Sequence, residues 1–297
     1  MEESFRRANY RLQVHYGFGL SAERIRAVTL AQAGELAATQ AGRKPVGRLP
    51  GEGAEAITTQ CDGSMVRLVR TAAQGDRRKR RQLEWKEARV CAAQARGSCS
   101  IHYEGLLGSV EAAGIAWSHA TAKAGWGVGS LIHPMGDGAV WIQQQAAVQF
   151  PGSAFLLDLY HVCEYLAEAA PRCAQKESPK RWSRRQKNKL RKGKAAQVIE
   201  ELRAKSEPAQ VPEELAPVRQ AYRYLHTRAD QLDYPGALRR DLPVGTGMIE
   251  SAHKQIVQQR LKGPGMAWLA ENADALIRAR ALRATAIQNQ ESLPSAA

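Results

Sequence analysis

The 297-residue sequence predicts an α/β protein with a mixed sheet, and three observations carry that expectation. Between residues 129 and 166, short apolar runs bounded by Gly, Pro or Asp alternate with stretches long enough for helices. Upstream, Met65 to Val69 alternates apolar with polar or basic residues, as a half-buried strand does, and Leu83 to Ala92 reads as the returning strand. From 167 to 242 helical segments follow one another without a strand signal, so an all-helical insertion interrupts the layout.

Residues 1 to 40 read as two helices. Gly17 and Gly19 mark the turn between them, and Ser21 is placed to cap the second. That pattern suits a helix-turn-helix or an ordinary helical hairpin. Residues 41 to 55 concentrate Gly, Pro and charge and read as a linker. Ala56 to Cys61 is the first strand, which places Asp62 at its end. The charged run Asp76 to Arg81 belongs in a hairpin tip or loop, because adjacent like charges cannot share a core. Gly105 to Ala124 is a helix, with Leu106, Val110, Ala113, Trp117 and Ala120 on one face.

The apolar run from Gly129 to Met135 stops at Gly136-Asp137-Gly138. Trp141 to Phe150 is a helix, Pro151-Gly152 breaks it, and Ala154 to Leu157 is a buried strand ending on Asp158. Parallel strands joined by a helix present their carboxyl ends on one rim, where α/β proteins place ligands. Asp137 and Asp158 are therefore both candidates, and His161, three residues into the next helix, can face the same rim.

From Arg172 to Lys194 the chain carries eleven Lys or Arg against a single acid, with Trp182 among them. This density favours contact with a nucleic-acid backbone, and Arg181, Arg184, Arg185, Lys187, Lys189, Arg191 and Lys192 are the candidate contacts. Leu242 to Lys254 brings a Gly-rich entry, in which Thr246 or Gly247 can cap, into a long amphipathic helix. Glu250 falls in its first turn, and Lys254 and Gln258 follow on the same face. Lys254 and Arg260 are further candidate DNA contacts, and the chain closes on a loose tail.

Composition narrows the function classes. A net charge of +14 and a pI near 9.8 favour a polyanionic partner. No uninterrupted apolar run approaches the roughly 18 residues that suggest a spanning helix, and the N-terminus lacks a secretory signal. The expectation is a cytoplasmic, nucleoid-associated protein with no membrane partner. Five cysteines with no CxxC pair read as reduced thiols, and scattered histidines argue against zinc. Asp62, Asp137 and Glu250 supply hard oxygens suited to Mg²⁺. A pair of such ions, with Mn²⁺ as substitute, activates an attacking hydroxyl and stabilises the leaving oxygen in phosphodiester displacement.

The segments CDGSM, LEWKEARV, GDGAVWI, FPGSAFLLDLYHVCEYL and LPVGTGMIESAHKQIVQQRLKGPGMAW resemble DDE transposases of bacterial insertion sequences of the ISKra type, relatives of the Mutator and hAT transposases. The resemblance covers about residues 55 to 285. It implies a ribonuclease-H-like core, with a first part at 56–166, a basic helical insertion at 167–242, final catalytic helices at 243–285 and a tail at 286–297. It also implies Asp62, Asp137 and Glu250 as the catalytic, metal-holding triad, with Asp158 and His161 on the family's (C/D)xxH motif. Asp158 is the alternative to Asp137 as second ligand. The implied activity is divalent-metal-dependent cleavage and strand transfer of DNA by a homodimer or larger assembly bound to element ends and target. Similar proteins usually carry a longer N-terminal DNA-binding region. A non-catalytic DNA-binding remnant is therefore one alternative, and a ribonuclease-H-like nuclease, which shares the triad, is another.

Overall fold

The computed structural model describes residues 4–71 and 81–290; Asp76–Arg80 of the basic run and the tail from Glu291 lie outside the described residues. Helices α1 (Phe5–Tyr16) and α2 (Ala22–Gln40) are set by their caps. The Ser4 and Ser21 hydroxyls accept from the amides of Arg7 and Arg24 at 3.2 and 3.1 Å, and Gly17 takes the left-handed conformation that ends α1. The expected linker is an ordered strap. Leu49 and Ala54 donate to the carbonyls of Trp126 and Gly125, and Val128 and Gly129 donate back to Gly51 and Glu52. Its glycines serve close approach rather than flexibility: a Cβ on Gly53 would lie 2.3 Å from the Gly127 nitrogen.

The first strand corrects the sequence reading. Strand β1 (Ala56–Thr71) runs unbroken through Asp62-Gly63 and pairs antiparallel with β2 (Arg81–Ala95), Asp62 opposite Val90 and Gly63 opposite Arg89. Asp62 therefore sits within a long strand and not at a strand end. A ladder on both sides of Asp-Gly outweighs the local turn preference of that dipeptide, and the space left by the missing Gly63 side chain is filled by the Glu87 carboxylate. Likewise, Gly105 and Leu106 belong to β3 (His102–Leu106), paired with β2, where the apolar spacing predicts a helix. Helix α3 (Val110–Lys123) begins only after its Ser109 cap.

Strand β4 (Leu131–Gly136), α4 (Val140–Gln149), β5 (Leu156–Leu157) and α5 (Leu159–Cys173) follow as the sequence predicts. The five strands form one mixed sheet in the order β3-β2-β1-β4-β5, antiparallel from β3 to β1 and parallel between β4 and β5. The fold is thus α/β with a five-stranded mixed sheet, compatible with a ribonuclease-H-like arrangement. Next come α6 (Pro179–Arg191), α7 (Ala195–Lys205), α8 (Pro217–His226), α9 (Tyr234–Arg239) and α10 (Gly247–His253). The long amphipathic helix expected from 247 is interrupted. A π-helical turn at Lys254–Gln258 leads to the short α11 (Gln259–Leu261), and α12 (Ala270–Asn289) closes the described chain. The wider turn shifts the side-chain register, so the facing of Glu250, Lys254 and Gln258 read from a regular helix does not hold. No helix among the described residues is long and apolar enough to cross a membrane.

The chain divides into two compact units. One comprises residues 1–132, 148–150 and 247–297, the other 133–147 and 151–246. In the first, Val66, Leu68, Val90 and Ala92 of the β1–β2 pair pack against Ile249, Ile256, Val257 and Ile277. Buried Trp117 donates its indole N–H to the Thr59 hydroxyl at 2.6 Å and meets Phe150 edge-on. In the second, Trp182 is buried inside the basic run and donates to Glu201 at 2.8 Å.

His133, also of the second unit, lies buried with Nε2 2.9 Å from the Pro243 carbonyl, and burial lowers its pKa. The folded state thus holds a neutral imidazole, whereas the unfolded chain takes up a proton as pH falls through about 6.5. Stability from this site is full above that value and is lost on acidification. Urea titrations at pH 7.5 and 5.5 will show a smaller loss for His133→Gln than for the native chain.

Candidate functional site

In the first unit, two of the predicted acids lie on elements packed together. Asp62 projects from β1, half-buried, with Oδ1 accepting from the Gly63 amide at 2.7 Å. Its Oδ2 lies 3.5 Å from Nε2 of His253. That imidazole is buried and its pKa is pushed down to about 4, chiefly by desolvation, so at neutral pH the ring beside Asp62 is neutral. Glu250 stands exposed three residues before His253 on α10, the helix that packs on β1 and β2. The start of α10 is fixed by β1 itself, since the buried Gln60 side chain accepts from the Ile249 amide at 3.0 Å. Thr246, one of the two caps expected from sequence, donates its hydroxyl to Asp158.

In the second unit the two rival acids have different environments. Asp158 is 3% exposed and caps α5: Oδ1 accepts from the Tyr160 amide at 2.7 Å, and Oδ2 takes both the hydroxyl and the amide of Thr246. Its carboxylate ties down the turn before Gly247. Asp137 is half-buried, and its Oδ1 accepts from the Ala139 amide at 2.9 Å in a short local turn.

The backbone of the Asp137 loop is held from α8. The Tyr224 hydroxyl donates to the Asp137 carbonyl, and the Arg228 guanidinium forks onto the Gly138 carbonyl at 3.0 and 2.9 Å. Gly138 has φ +85°, and a Cβ there would lie 2.6 to 2.8 Å from Leu157, Arg228 and Tyr224. Gly138→Ala is accordingly expected to cost roughly 1–3 kcal/mol from backbone strain alone. A thermal melt beside the native chain will register it. His161 lies on the first turn of α5, with Nδ1 3.0 Å from Glu164, and its ring is edge-on to Tyr165 and Tyr224.

The predicted residues thus divide between the units: Asp62 and Glu250 in one, Asp137, Asp158 and His161 in the other. Their chemistry suits a hard divalent cation, since Asp62, Asp137 and Glu250 each offer carboxylate oxygen. Among the described residues, no three His, Cys, Asp or Glu side chains gather as a metal-binding group.

A model of an uncharacterised protein family, UPF0236, matches residues 129–293, more than half of the chain. The chain belongs to that family. No curated protein matches it. The matched region of this UPF0236 chain contains Asp137, Asp158, His161 and Glu250, together with α8 and its grip on the Asp137 loop, whereas Asp62 lies before it.

The predicted DNA contacts of the UPF0236 chain sort into two sets. Arg185 and Lys189 reach inward to Glu201 at 3.4 and 2.9 Å, and Arg185 also binds Glu177 at 2.8 Å. Both hold α6 on its neighbours. Arg181, Arg184, Arg191 and Lys192 are exposed, and Lys187 lies 4.2 Å from the Tyr160 ring centre. Lys254 is exposed on the π turn. Arg260 must be removed from the set: it is 5% exposed and sits between the rings of Phe5 and Trp268, at 4.4 and 4.9 Å. Sequence reasoning did not find His253, Gln60, Tyr224 or Arg228. The spacing Glu250-x-x-His253 was the available signal for the first. The others act across long sequence separations and left none.

Proposed function

We propose that this chain is a nucleic-acid phosphodiester transferase of the DDE type, a transposase that cleaves element ends and joins them to target DNA. The observation that carries the reading is the Asp137 loop. A carboxylate follows the fourth strand, its backbone is locked by Tyr224 and Arg228, and its side chain is left half-exposed. Asp62 and Glu250, on packed elements, and the exposed cations of α6 support it, as does the motif order that resembles the ISKra-type transposases. Asp62 and Glu250 in the first unit, and Asp137 in the second, each offer carboxylate oxygen suited to Mg²⁺ or Mn²⁺, which when bound activates water or a 3′-hydroxyl and stabilises the leaving oxygen. The residues' own part is narrower. Asp62 and Glu250 bring negative charge to the face of α10. Lys187, Arg184 and Arg191 neutralise phosphates and position the strand without reading its sequence.

The test is a strand-cleavage and joining assay on the purified chain, using labelled DNA that carries the sequences flanking its coding region. Metal-dependent joined products support the proposal. Cleavage without joining supports a ribonuclease-H-like nuclease. Salt-sensitive binding with no cleavage supports a DNA-binding protein without catalysis.

A further inference from the structure

We infer that the cleft between α5 and α8 binds one unpaired nucleotide, its base stacked on Tyr165. The inference rests on the nucleic-acid reading above and adds a binding subsite to it. All the residues involved belong to the second unit.

The cleft has a volume of about 580 Å³ and is lined by Tyr165, Tyr224, Glu213, Gln220, Arg223 and Arg228, among others. Its wall is a stack. Tyr165 and Tyr224 lie nearly parallel with centroids 4.1 Å apart, and the Arg228 guanidinium carbon is 4.3 Å from the Tyr224 centroid. A ring has no room for both neighbours on one face at these distances, so Tyr224 is sandwiched. Tyr165 is different. It is half-buried, Tyr224 covers one face, His161 meets it edge-on at 5.6 Å, and among the described residues no further ring or cation stacks on it. Arg228 thus closes the Tyr224 end of the stack, and Tyr165 ends it on the other side, at the lining of the cleft.

The rim limits what can complete it. Glu213 and Glu214 place carboxylates beside the cleft, which accept hydrogen bonds from exocyclic amino groups and repel phosphate oxygens. Arg223, 65% exposed, is held among the described residues by an exposed ion pair to Glu213 at 3.2 Å, a contact weak enough to yield to a backbone phosphate. An aromatic face, amino-group acceptors and one cation at the mouth match a nucleobase with its phosphate outside. The base must be unpaired, because in a duplex both of its faces are already stacked. Tyr224 and Arg228 also hold the carbonyls of Asp137 and Gly138, so a base added to this stack joins the same set of contacts that fixes the Asp137 loop.

The test uses the full chain and single-stranded oligonucleotides containing 5-iodouracil. Photocrosslinks mapped by mass spectrometry are expected on Tyr165. In equilibrium binding, Tyr165→Ala should lose roughly tenfold in affinity for single strands and little for blunt duplex, with Tyr165→Trp restoring it. The double variant Arg184→Glu, Arg191→Glu should weaken binding to both. Crosslinks confined to α6, or unchanged single-strand affinity in Tyr165→Ala, would overturn the cleft while leaving nucleic-acid binding intact. Failure of the native chain to bind any DNA would overturn both readings. Should Tyr165→Ala prove unfolded, the crosslink map of the native chain decides.

Discussion

Asp137→Ala should abolish strand cleavage and leave the fold intact, whereas Asp158→Ala should destabilise the protein before any question of chemistry arises. Among the described residues the Asp137 side chain makes one short contact, to the Ala139 amide, and the loop around it is held through backbone carbonyls by Tyr224 and Arg228. Truncation therefore removes a carboxylate and little else. If that carboxylate holds a catalytic cation, several kcal/mol of transition-state stabilisation goes with it, a rate loss of at least about 10³-fold. Asp158 is buried and accepts from Tyr160 and twice from Thr246. Alanine there removes an N-cap, worth about 1 kcal/mol, and strands the buried hydroxyl and amide of Thr246 at about 1–3 kcal/mol more. Melting curves and cleavage rates for both variants decide the matter. A stable, inactive Asp158→Ala beside an active Asp137→Ala would reverse the assignment.

Glu201→Ala is expected to be among the most damaging substitutions in the second unit, although Glu201 is not itself a predicted site residue. Its carboxylate accepts from Trp182 at 2.8 Å, Gln186 at 3.0 Å and Lys189 at 2.9 Å, with Arg185 and Lys205 each at 3.4 Å. These hydrogen bonds hold its pKa far below the usual carboxylate range against the opposing effect of burial. Removing the acceptor leaves the buried indole and amide donors of α6 unpaired and three cations crowded together. With the site partly open to solvent, the cost is about 2–4 kcal/mol. Urea denaturation of Glu201→Ala against Glu201→Gln measures it, since glutamine keeps one acceptor oxygen. The sign with pH follows from the lowered pKa. The contribution is fully present above about pH 4.3 and is lost only as pH falls below it.

This carboxylate also explains why the basic stretch was only half legible. Eleven cations within Arg172–Lys194 read as one polyanion-binding surface. The acid that engages Arg185 and Lys189 comes from α7, on the far side of a Gly-containing turn. Charge density is a property of the segment; which charges remain free for a partner depends on what packs against it.

The same division runs through the rest of the chain. Local sequence determined the strand–helix–strand–helix run from β4 to α5, the serine caps of α1, α2 and α6, the strandless helical stretch and the positions of Asp137 and Asp158 after short strands. These follow from apolar period and from side chains that satisfy amides a few residues away. Tertiary structure decided the remainder. Pairing with β2 carried β1 through Asp-Gly and made a strand of His102–Leu106. The Phe5 and Trp268 rings took Arg260 out of solvent, and Gln60 capped a helix 189 residues onward. Above all, two aspartates with the same local signature were given different work, because Thr246 reaches one of them and Tyr224 grips only the backbone of the other. A strand-end carboxylate is written in the sequence; whether its oxygens are consumed or left available depends on donors brought in by folding from distant parts of the chain.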